Sequence, residues 1–298
     1  MNPISQFFRR KKNVSNIDQQ LYRVEYFNSL AEAQSADVLE LLRSEAAHVV
    51  YIKDVIDPKI QKRLLEAFRQ LRQKKDCSLG KIDMYPKSFV TKMYEKDEPN
   101  DFFIQTKNAI QEVNQLLGFD LESQVLDLLT SLNNGNEVGT KSLSFKAGSF
   151  SPFQFRTLNK SKKTYNVHCE NGQHEWAPTH NVALGLDKLQ MNCIPCFITL
   201  QAAEGGELVL FDKLWQSGQY TEPINEFYNN IVTKTGRKFD CSPDGIKRMI
   251  IDVKERDMIL FNGGYIWHMI EQVRSERERI TLGSFIEKGH NGKTYVWC

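Results

Sequence analysis

No apolar run in this 298-residue chain approaches the roughly 20 residues that span a bilayer, and no apolar core of a secretory signal stands near its start. Charge of one sign is missing too: 39 Lys and Arg face 37 Asp and Glu, a net of +2. The one basic run, Arg9, Arg10, Lys11 and Lys12, is too short to argue a nucleic-acid surface. These absences set the expectation of a cytoplasmic protein with neither a membrane nor a nucleic-acid partner. Cysteine is sparse and scattered, at Cys77, Cys169, Cys193, Cys196, Cys241 and Cys298, which suits free thiols in a reducing compartment and no disulfide-linked partner. Cys193 and Cys196 form a C-x-x-C pair, but no second pair at zinc-site spacing accompanies it, so both are expected to be small buried hydrophobes. No repeat and no Pro/Gly-rich linker divides the chain, which is expected to form a single domain over 1–298.

What is present separates by periodicity. In "IDPKIQKRLLEAFRQLRQKKD", Asp57 is placed to cap a helix, Pro58 to open it, and Ile60, Leu64, Leu65, Phe68 and Leu71 fall on one face. A second helix is predicted over 101–117 with Gly118 as its stop, and a third from Asp120. "AHVVYIKDV" has the β-branched character of a strand, so 1–145 reads as a mixed, mostly helical support. From 146 to 298 short β-type runs follow one another: "FQFRTL", "TYNVHCE", "NCIPCFITLQ", "GELVLF", "RMIIDV", "DMILFN", "IWHMIEQV", "RITLGSFI" and "TYVWC". Turns such as "EGGE", "SPDG" and "NGG" separate several of them, the pattern of an antiparallel sandwich or barrel. The expected class is α+β, mainly β, with helices packed on one face.

Within "VHCE", strand alternation puts His168 and Glu170 on one face and Cys169 on the other. That pair alone also fits an exposed strand face. A further histidine, His268, lies in the apolar strand "IWHMIEQV", where a core histidine with a local hydrogen bond is the plain alternative. Together, two histidines and one carboxylate form the 2-His-1-carboxylate set of non-haem Fe(II) oxygenases, which leaves three positions of an octahedron open. In "ERERITLGSFI", Ile280, Leu282 and Ile286 share one face and Arg279, Thr281 and Gly283 the other. A guanidinium turned into a barrel needs an anion, and a ligand carboxylate is its natural partner, with Thr281 adding a hydroxyl.

On "VHCEN", "EGGELVLFD", "RDMILFNGGYIWHMIEQV" and "RITLGSF", residues 145–298 resemble the Fe(II)/2-oxoglutarate-dependent oxygenases, whose fold is a double-stranded β-helix, the cupin-like jelly roll. That resemblance implies Fe(II), 2-oxoglutarate and O2, with His168, Glu170 and His268 as metal ligands and Arg279, 11 residues after His268, holding the distal carboxylate together with Thr281. Within the superfamily the chain is most similar to the freestanding halogenases of hapalindole-type alkaloids, on "GGELV", "DMILFNGG" followed by His268, and "KTYVWC". Those enzymes carry Gly where this chain has Glu170, a vacancy that lets a halide ligate iron. The resemblance therefore implies hydroxylation of an unactivated C–H bond in a free small molecule, an alkaloid or amino-acid-derived metabolite. Halogenation, desaturation, epoxidation or cyclisation on the same scaffold, a zinc hydrolase and a non-catalytic jelly-roll binding protein are the alternatives. The segment "KIDMYPKSFVTKMYEKDEPNDFF" is a candidate lid or an ordinary packed loop, and Asn171, Gln173, His174 and Trp176 are candidate substrate contacts.

Overall fold

The computed structural model describes residues 21–75, 77–79, 82–87, 99–140, 148–160, 167–171, 192–216, 219–221, 231–233, 238–239 and 247–298. The expected helices form. Asp57 accepts from the Lys59 amide at the start of α3 (Pro58–Lys74), which buries Leu64, Ala67, Phe68 and Leu71. Helix α4 (Pro99–Leu117) stops at Gly118, whose φ of +65° is the left-handed conformation that glycine tolerates, and Asp120 then caps α5 (Leu121–Ser131) through the Ser123 amide. Two short helices, α1 (Leu30–Gln34) and α2 (Val38–Arg43), precede them.

The strands are β1 (Val24–Phe27), β2 (Val49–Ile52), β3 (Ser78–Leu79), β4 (Ile82–Tyr85), β5 (Val138–Thr140), β6 (Gln154–Leu158), β7 (Ile194–Gln201), β8 (Leu208–Leu214), β9 (Gln219–Thr221), β10 (Ile231–Thr233), β11 (Lys238–Phe239), β12 (Arg248–Ile251), β13 (Met258–Phe261), β14 (Ile266–Ile270), β15 (Arg279–Lys288) and β16 (Thr294–Trp297). Ten of them make the major sheet, in the order β1, β2, β13, β7, β15, β6, β4, β3, with β16 and β5 continuing from β15. Strand β15 is the hub: β7 runs along one edge, while the other edge is shared by β6 against Arg279–Gly283 and β16 against Phe285–Lys288. A smaller antiparallel sheet has the order β12, β8, β14.

Two apolar layers follow from strand alternation. Cys196, Ile198, Ile280, Leu282 and Phe155 pack with Leu64, Phe68 and Leu71 of α3 on the helix side of the major sheet. Phe197, Ile259 and Tyr51 point the other way and meet Leu208, Leu210 and Ile266 of the small sheet. Two facing sheets with helices behind one of them form the double-stranded β-helix, or jelly roll.

The N-terminal region mixes helices α1 to α5 with strands β1 to β5, which all join the major sheet and are two to four residues long. One expectation needs correction: "VHCE" is not a strand where it is described. His168 makes a single antiparallel bridge to His268, and Glu170 and Asn171 already have helical backbone. The reason is its neighbour: the Glu170 and Asn171 amides donate to the carbonyls of Gly263 and Gly264, which belong to a turn and not to a strand edge. Residues 164–166 of that run lie outside the described residues.

Cys77, Cys169, Cys193, Cys196 and Cys298 are buried thiols, and Cys241 lies outside the described residues. Among the described residues no helix is long and apolar enough to cross a membrane.

Candidate metal centre

His268 stands on β14 where the register against β8 shifts between Ile266 and His268. Such an irregularity re-aims a side chain. Trp267 points outward to Val167, Cys169, Val209 and Phe211, whereas His268 points inward at 3% exposure. Its Nδ1 lies 2.8 Å from the Ile266 carbonyl, which only accepts, so Nδ1 carries a proton and Nε2 is the nitrogen turned to the cluster. His168 is held opposite by reciprocal 2.9 Å backbone hydrogen bonds, and the two imidazole centroids are 4.4 Å apart.

The carboxylate completes the cluster from the other side of Cys169. Glu170 Oε1 lies 3.5 Å from His268 Nε2 and 3.9 Å from His168 Nε2, and one ligand atom from each of the three residues falls within 4.8 Å of the others. Glu170 is 3% exposed, and among the described residues its Oε2 has no hydrogen-bond partner. Burial pushes its carboxyl up, but His268 and then His168 outweigh that effect and hold it below its ordinary value. A buried carboxylate with one oxygen facing two imidazole nitrogens and the other orphaned is a costly arrangement without a cation and a favourable one around it. Cis ligands of an octahedral ion stand roughly 3 Å apart, so only a small contraction separates these atoms from a coordination shell. The residues fit Fe(II).

Two glycine turns make the site possible, one in "NGG" and one in "EGGE". A Cβ on Gly263 would stand 2.7 Å from Glu170 Oε2 and 2.4 Å from Pro195 Cγ, and one on Gly264 would stand 2.9 Å from Asn171 Oδ1. The bare backbone lets the Glu170 segment lie directly against this turn. Gly206, at φ +79°, would place a Cβ 2.5 Å from Arg279 Cδ.

Arg279 and Thr281, as expected, face the small sheet; they are 7% and 2% exposed. The Arg279 guanidinium lies over Phe197, 4.9 Å from the ring centroid. Thr281 pairs with Thr199 on β7 and with Arg156 on β6. Asn171 is fully buried beside Gly264, whereas Gln173, His174 and Trp176 lie outside the described residues. The ends of the candidate lid belong to β4 and α4, with Met84, Phe102 and Phe103 buried; its middle, 88–98, lies outside the described residues.

Two facing sheets, an inward His/Glu/His cluster and a buried arginine beyond it define a non-haem Fe(II)/2-oxoglutarate oxygenase, whose chemistry uses Fe(II), 2-oxoglutarate and O2. The family model described as carrier-protein-independent halogenase WelO5 matches residues 31–298, and the chain belongs to that family. Among solved structures, an N-substituted L-amino acid dioxygenase from Burkholderia ambifaria AMMD is similar at 12% identity and TM-score 0.53, over 90% of this chain and 92% of that one. Its complex with alpha-KG is similar at 10% identity and TM-score 0.52, over 88% and 90%. At these identities the likeness is one of fold. No curated protein matches the chain.

Proposed function

We propose that this protein hydroxylates an unactivated C–H bond of a freely diffusing small molecule, an alkaloid or amino-acid-derived metabolite, with release of succinate and carbon dioxide. The observation that carries this reading is Glu170, a buried carboxylate aimed at both histidines. His168, Glu170 and His268 would hold the iron, as the ligand set that non-haem Fe(II) oxygenases use. Fe(II) with 2-oxoglutarate supplies the activation of dioxygen; the protein supplies placement. The Ile266 carbonyl orients His268 for that task, and the Gly263 carbonyl fixes the Glu170 backbone. Arg279 and Thr281 anchor the distal carboxylate of the co-substrate, and Phe197 walls off the guanidinium from water. The family's description as carrier-protein-independent supports a substrate free in solution.

The same description favours halogenation as the second reading. A halide would need a vacant iron position, and with Glu170 as a ligand that position would be filled. Desaturation or cyclisation would use the same ligand set.

Anaerobic titration of the Fe(II)-loaded protein with 2-oxoglutarate, followed by chloride, separates these readings. A visible charge-transfer band should grow with 2-oxoglutarate and stay unchanged on adding chloride, whereas in Glu170→Gly chloride should shift it. A chloride-sensitive band in the unaltered protein would favour the halogenase. Bound metal without any band would leave a zinc hydrolase or a non-catalytic metal-binding protein.

A further inference from the structure

The inner face of the major sheet carries a second cation that the reading above does not use. Arg156 on β6 pairs in register with Thr281, so its side chain starts on the same face as Arg279, Thr281 and Thr199. Its Nε donates to Gln154 Oε1 at 2.9 Å, and its Cζ lies 5.0 Å from the Phe285 ring centroid. The Gln154 amide is itself anchored on the Pro86 carbonyl at 2.8 Å, so Arg156 rests on a fixed support. Among the described residues this half-buried guanidinium has no carboxylate partner. A guanidinium has five donors, and a neutral amide oxygen does not balance its charge.

The register sets the two arginines on either side of Gly283. Gln154 and Phe197 are the partners of Gly283 on its two sides. Arg279 leans over Phe197 from one side, and Arg156 reaches Gln154 and Phe285 from the other. Gly283 between them has no side chain, and an added Cβ there would press on the Cys196 carbonyl at 3.1 Å and Phe197 Cβ at 3.3 Å. Thr199 adds a hydroxyl that is 1% exposed and without a partner among the described residues. Two guanidinia and two threonine hydroxyls thus share the inner face of the sheet along Thr281–Gly283 of β15.

We infer that Arg156 is a second binding residue for the distal carboxylate of 2-oxoglutarate, which lies between Arg156 and Arg279 over Gly283. This rests on the 2-oxoglutarate reading of the metal centre. One carboxylate has acceptor capacity for both forks, and an anion shared by two cations relieves their mutual repulsion.

The test compares 2-oxoglutarate with 2-oxopentanoate, which keeps the chelating keto acid and lacks the distal carboxylate. Dissociation constants come from anaerobic charge-transfer titration of the Fe(II)-loaded protein and of Arg156→Gln, Arg156→Lys and Arg279→Ala. Arg156→Gln should weaken 2-oxoglutarate by about tenfold or more, as loss of a charge-assisted contact implies. Binding of 2-oxopentanoate should be nearly unchanged, which also shows that the iron site is intact, and Arg156→Lys should recover part of the loss. Equal weakening of both keto acids, or of neither, would overturn the inference. If the unaltered protein shows no band with either keto acid, the fault lies with the 2-oxoglutarate reading itself, and the inference falls with it.

Discussion

At the scale of single residues the centre depends as much on what is absent as on its ligands. Glu170 Oε2 occupies space that any side chain on residue 263 would contest, with Pro195 closing the other side. Gly263→Ala is therefore expected to displace the carboxylate and weaken Fe(II) binding by about 10- to 100-fold, the usual effect of disturbing a ligand's support. Gly139→Ala, where an added Cβ meets nothing within 4 Å, is the control and should bind iron normally. A metal titration of both variants checks the pair. The cluster itself was legible in the sequence, because His168, Glu170 and His268 differ chemically from the apolar strands around them. Arg156 was not, since one arginine in "FQFRTL" carries no signal until the register sets it beside Thr281. The geometric role of Gly263 was equally hidden, because a turn glycine and a packing glycine look alike in a sequence.

At the scale of elements, legibility followed length and burial. Strand β7 is buried at all eight positions and read as a continuous apolar run; α3 read by its three- and four-residue spacing. Short edge strands such as β3 and β5 owe their structure to a partner and have too few residues to state it alone. The "VHCE" segment misled because alternation assumes a strand partner on the far side of Glu170, and a glycine turn stands there instead. Helix α3 is tied to the site region twice over. Phe68 stacks on Phe155 of β6, with centroids 4.9 Å apart and planes 9° from parallel. Arg72 bridges Asp83 of β4 at 2.8 Å and Glu278, the residue before Arg279, at 2.7 Å. The apolar contact is the larger of these in stability. Phe68→Ala should cost about 3–5 kcal/mol in chemical denaturation, since Phe68 is fully buried and leaves a cavity under the sheet.

For the whole molecule, one core cluster joins residues from Phe27 to Val296, and the His/Glu/His cluster draws on two places far apart in the chain. Iron that binds only this folded arrangement adds to its stability by mass action, about 2.7 kcal/mol at a hundredfold excess over the dissociation constant. Removing Fe(II) with a chelator is expected to lower the melting temperature by about 4 °C. An unchanged melting temperature would mean that the metal also binds the unfolded chain or binds elsewhere. The placement of β15 has one more consequence, in the order of synthesis. Strands β6, β7 and β13 leave the ribosome well before β15, yet β6 and β7 meet each other only through it. Until Arg279–Lys288 emerges, two apolar strand edges wait without their common partner, the situation in which nascent chains are held by chaperones or aggregate. Arrested nascent chains should therefore remain protease-sensitive when they expose residues only as far as β14 and become resistant once β15 has cleared the exit tunnel.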